Sequence, residues 1–117
     1  MDLFKYISEN YLKIAQNELD IRSMHLYKIG NIYAAFQKSS YKLKQTIKDA
    51  DIMATHIPGT PDTLIVTVIS APQKLILDDK YGTPVGSALH LTYKIRPVSE
   101  SAYEKWQQKT LKNLLSI

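Results

Sequence analysis

The chain has 117 residues, 44% hydrophobic and 22% charged, values near globular averages that exclude a disordered or fibrous class and point to one domain, 1–117. It holds no cysteine, which removes disulfides, thiolate zinc sites and a cysteine nucleophile together. Fifteen Lys and Arg against eleven Asp and Glu leave a formal charge of +4, too slight an excess to assign a nucleic-acid or membrane-surface partner.

The first ten residues carry charges where a signal peptide would be apolar, so they read as mature protein. From Asp2, a candidate N-cap, the residues Leu3, Phe4, Ile7, Tyr11, Ile14 and Ala15 recur at helical spacing and predict an amphipathic helix to about Gln16. Lys5 and Lys13 flank its apolar face, as on a membrane-surface or partner-binding helix, but such a stripe most often faces its own core.

After a break or kink at Asn17 to Asp20, Leu26, Ile29, Tyr33, Phe36, Ser40, Leu43, Ile47 and Ala50 follow alternating steps of three and four. That spacing predicts a long second helix over Ser23 to Asp49, or a continuation of the first. The rival reading takes Gly30-Asn31 as a hairpin turn between two strands, but period two fails across Ile32 to Lys38. A helix of ~25 residues would be about 38 Å long and would project beyond a small sheet. Its candidate partner-binding residues are Tyr33, Phe36, Tyr41, Leu43 and Ile47. The basic residues Lys38, Lys42, Lys44 and Lys48, with Lys94 and Arg96, form the alternative, an anion-binding set; a solvated helix face explains the lysines more simply.

Asp51 to Pro58 reads as a first strand, turned by Gly59-Thr60-Pro61-Asp62 into a second, Thr63 to Ser70, which is apolar on both faces and therefore interior. Its apolar run is far short of the ~20 residues that span a membrane. Pro72 ends that strand, Lys74 to Asp78 reads as a third, and Ser87 to Arg96 alternates apolar with polar as a half-buried fourth. Ser101 to Glu104 fits a capping box for a last helix, Ala102 to Leu115, with Tyr103, Trp106, Thr110, Leu114 and Ile117 as its stripe. The expected fold is thus α+β: one or two N-terminal helices, a four-stranded antiparallel meander and a C-terminal helix.

No catalytic, cofactor-binding or metal-ligating residue is assigned. His25, His56 and His90 are far apart and outside any ligand spacing; His56 and His90 could meet across a sheet, but surface or satisfied histidines explain them more simply. Asp78 and Asp79 point opposite ways if extended, the loop Lys80 to Ser87 leads into a strand rather than a helix, and no serine has nucleophile-elbow surroundings. Eight tyrosines against two phenylalanines favour recognition of a partner.

From Asn17 onward, a long amphipathic helix followed by a meander is similar in layout to the soluble part of type IV pilin-like subunits, without their apolar N-terminal half-helix or cysteines. A helical domain with a curved sheet also looks like the cone-shaped folds related to nuclear transport factor 2. These likenesses imply a non-enzymatic structural or adaptor protein, acting on a protein partner or a second copy in a secretion, pilus or phage assembly. The alternatives are a nucleic-acid or anion-binding module built on the lysine-rich helix, and a small-molecule or catalytic pocket between helix and sheet. No compartment is assigned.

Overall fold

The Asp2 carboxylate accepts a hydrogen bond from the Lys5 backbone N–H at 2.8 Å and starts the expected first helix, α1 (Leu3–Asn17), which buries Ile7 and Ile14. The structure is a computed structural model that describes residues 2–57 and 59–115. Pro58, at the end of the expected first strand, and Ile117, at the end of the expected last stripe, lie outside the described residues.

The long second helix is not formed. Ser23 to Asp49 holds two strands, β1 (Ser23–Ile29) and β2 (Ile32–Phe36), and a shorter helix, α2 (Gln37–Thr46). Gly30-Asn31 is the hairpin turn, with Ile29 opposite Ile32 and Gly30 at φ 61°, the left-handed value a II′ turn needs at its first central residue. The helical periodicity misled for a physical reason. β1 is buried at Met24, His25, Leu26, Tyr27 and Ile29, because helices cover both faces of the sheet. A strand that is apolar on both sides supplies apolar residues at every spacing, including three and four. With no long helix ahead of the strands, the pilin-like layout is absent.

The next hairpin follows the sequence closely, as β3 (Asp51–His56) and β4 (Thr63–Ile69). Lys74 to Asp78 is not a strand but the middle of α3 (Ala71–Tyr81), whose N-cap Ser70 exchanges hydrogen bonds with Gln73 in a capping box. A two-residue strand, β5 (Val85–Gly86), leads into β6 (His90–Lys94), shorter than the Ser87 to Arg96 expected. The last helix, α4 (Glu100–Leu115), starts earlier than expected: Ser99 Oγ, not Ser101, accepts from an early backbone amide, that of Ala102.

The fold is α+β; among the described residues there are four helices and one six-stranded antiparallel sheet in the order β3-β4-β2-β1-β6-β5. It is not a four-stranded meander, since β2 pairs with β4 and β1 with β6. α1 covers one face, packing Ile7 and Ile14 on Tyr27, Ile29, Ala34, Phe36, Leu64 and Val66. On the other face, Leu43 and Ile47 from the α2 region, Leu77 of α3 and Tyr103 of α4 pack on Met24, Leu26, Ala35, Ile69 and Tyr93. Among the described residues no helix is long and apolar enough to cross a membrane.

Candidate functional site

At the end of the sheet where β2 runs straight into α2, the two helical layers meet and leave a cleft of about 250 Å³. α2 begins without a side-chain cap of its own: its N-cap is Phe36, and the next residue, Gln37, sits at φ 52°. A non-glycine residue there is strained, by roughly 1–2 kcal/mol. The strain sets the Gln37 side chain beside β4, where its Oε1 accepts from the Ile65 backbone N–H at 3.2 Å and extends the β2 ladder by one bond.

The missing cap comes from another helix. Glu18, at the C-terminal end of α1, is buried and turns its carboxylate onto the first turn of α2. Oε1 accepts from the Ser39 backbone N–H and Oε2 from the Ser39 hydroxyl, both at 2.7 Å. Ser39 Oγ in turn accepts from the His25 backbone N–H at 2.9 Å, so one chain of bonds joins α1, α2 and β1. The donors and the helix N-terminus favour the ionised carboxylate. Burial opposes them more strongly, and the Glu18 carboxyl is pushed up to about 7 despite the pull of Ser39 and the nearby Lys38.

Above this floor, Tyr11, Ile14, Ala15 and Leu64 supply apolar wall, and Tyr103 lines the opposite side. The Tyr103 hydroxyl is buried without a hydrogen-bond partner among the described residues. Burial, with the negative charges of Glu18 and Glu100, holds its pKa well above the usual phenol value. At the rim Lys38 Nζ pairs with Glu100 Oε2 at 3.0 Å and lies 6.0 Å from the Tyr103 ring centre. A titrating carboxyl, an unsatisfied phenol and an ion pair therefore converge on one cleft.

A second cluster lies on the α1 face of β1 and β6. His25 Nδ1 and His90 Nε2 are 2.9 Å apart, and His90 stacks on Tyr27 with ring centres 4.7 Å apart. The two imidazole centres are 5.1 Å apart, almost the full nitrogen separation plus the two ring radii, so the nitrogens point at each other. That is an N–H···N bond, with one histidine as donor and the other as acceptor, rather than two lone pairs converging on an ion. Burial lowers both pKa values, helped by His90 at His25 and by Lys13 at His90. The histidine pair is thus His25 with His90, because Tyr27 lies opposite His90 in the register, while His56 sits at the exposed end of β3.

Of the expected partner-binding residues, Phe36, Leu43 and Ile47 lie in the two cores, and Tyr33 and Tyr41 are half-buried against one of them. Tyr41 packs 5.2 Å from Trp106. The expected anion-binding residues are not gathered. Lys38 is held by Glu100, and Lys44 Nζ donates to the carbonyls of Lys48 and Ala50 beyond the end of α2. Lys42 lies on α2 and Lys48 in the turn just past it, whereas Lys94 alternates with buried Tyr93 and Ile95 and so faces the other side of the sheet; Arg96 is exposed just past β6. Sequence reasoning missed Glu18, Gln37, Tyr103 and Glu100 as a group, because they come from three helices and no spacing links them. Comparison with protein-family models, with curated proteins and with solved structures finds no match.

Proposed function

We propose that the chain is a small-molecule binding domain whose ligand, a small organic cation with an apolar body, occupies the cleft between α1, the start of α2 and α4. The observation that carries this reading is the buried Glu18 carboxyl, poised near neutrality opposite the unpartnered Tyr103 hydroxyl. With Glu100 and Lys38 cancelling at the rim, the remaining ionisable charge is that of Glu18. An ammonium group beside it favours the carboxylate and drives off its proton. Tyr11 and Tyr103 line the cleft as aromatic partners for a cation, and Ile14, Ala15 and Leu64 offer apolar contact to the rest of the molecule. Ligand pockets commonly run roughly 300–1,000 Å³, so a cleft of about 250 Å³ suits a metabolite-sized molecule.

The test is calorimetric titration with a panel of small primary and quaternary amines at pH 7, in two buffers of different protonation enthalpy. Binding is expected to release a fraction of a proton, and Glu18→Gln to abolish that release and weaken binding about tenfold or more. A panel without binders, or binding indifferent to Glu18→Gln, would overturn the reading.

A further inference from the structure

The two edges of the sheet differ. β5 is two residues long, too short to template another strand. β3 is six residues long and pairs with β4 one-to-one from Asp51↔Val68 to His56↔Thr63, so it contains no bulge. Its interior, Ile52-Met53-Ala54-Thr55, carries no charge and no proline. Lone proteins blunt an edge with one of these devices; on β3 the charge is confined to Asp51, its first residue, and the four residues of its interior carry neither charge, proline nor bulge.

The backbone direction of this edge follows from bonds at its end. The Ile57 N–H bonds to the Asp62 carbonyl, which continues the β3–β4 register, so odd-numbered residues of β3 turn their N–H and C=O groups toward β4. The other side of β4 agrees: the Ile65 N–H points away from β3, to Gln37 Oε1. The N–H and C=O groups of Ile52, Ala54 and His56 therefore point off the sheet, and among the described residues none of them has a hydrogen-bond partner.

We infer that β3 is the seam of a symmetric dimer, pairing antiparallel with β3 of a second copy about a two-fold axis at Ala54. Two-fold symmetry requires opposed residues to share a face, so the register must centre on a single residue. Centring on Ala54 sets Ala54 against itself and Ile52 against His56 at both ends, so all six outward N–H groups meet outward carbonyls. Centring on Met53 instead uses only Ile52 and Ala54, four bonds. Side chains permit the first register: the small Ala54 lies at the axis, Met53 faces Thr55, and no like charges oppose one another. The middle of β3 is already half-sheltered by the flanking layers, so what the second copy adds is chiefly the backbone ladder. This inference is independent of the ligand proposed for the cleft.

The test combines sedimentation equilibrium with residue-resolved amide hydrogen exchange on the whole chain. The wild-type protein is expected to show a concentration-dependent monomer–dimer equilibrium, with the amides of Ile52, Ala54 and His56 becoming protected as dimer forms. Ala54→Pro removes an outward N–H and leaves the β4 ladder untouched; it is expected to weaken the dimer by about tenfold or more. If that variant does not fold, the wild-type exchange pattern still decides. A protein that stays monomeric at about 1 mM, or dimerises with those three amides fast-exchanging, overturns the seam.

Discussion

Glu18 shows how one side chain can be both a structural cap and a titrating group. Its folded pKa of about 7 is raised from an ordinary 4.5, so between these values the folded chain holds a proton that the unfolded chain has lost. Its stabilising effect is full below pH 4.5, falls as pH rises through the window and is gone above 7, a change on the order of 3 kcal/mol. His25 and His90 act in the opposite sense: their pKa values are lowered, so their effect is present above the ordinary histidine value and lost as pH falls. Glu18→Gln keeps an oxygen for the Ser39 amide and carries no charge. The histidine effect is common to both proteins, so denaturant unfolding from pH 4.5 to 8 should show Glu18→Gln gaining stability relative to the wild-type chain as pH rises. Parallel profiles would exclude this role for Glu18. In the sequence Glu18 reads only as part of a helix break, because its acceptor role depends on Ser39, twenty-one residues away.

Elements succeed or fail on their ends. α2 starts in strain at Gln37, and that strain reverses an ordinary preference. Alanine outranks glycine inside helices, yet Gln37→Gly relieves the left-handed backbone while Gln37→Ala keeps the strain, and both lose the bond to Ile65. The glycine variant should unfold at higher denaturant than the alanine variant, by about 1 kcal/mol; the usual order would show that φ 52° is not maintained in solution. α3 was legible in Ser70-Ala-Pro-Gln73, a capping box with proline in the first turn, but the apolar run Leu75-Ile76-Leu77 mimics a short buried strand. Of those three only Leu77 is buried. The β3–β4 hairpin was legible because its turn residues and its apolar runs agree.

The molecule has two cores that share one sheet, and this sharing decides how it unfolds. Phe36 lies in the core under α1 and Leu26 in the core under α2, yet they belong to the paired strands β2 and β1. Phe36→Ala should cost about 3–5 kcal/mol and Leu26→Ala about 2–5 kcal/mol. In both variants far-ultraviolet dichroism and tyrosine fluorescence should report one coincident transition. Separate transitions would mean that the layers on the two faces unfold independently. The sequence by itself determined the first and last helices, the Asp51 to Ile69 hairpin and the alternation of β6, since each is written in neighbouring residues by a cap, a turn or a period. Only the tertiary structure decided that Ser23 to Phe36 is a hairpin and that Glu18, Gln37, Tyr103 and Glu100 share a cleft. Burial on both faces erases the local period of a strand, and a site assembled from the ends of three helices leaves no spacing along the chain to read.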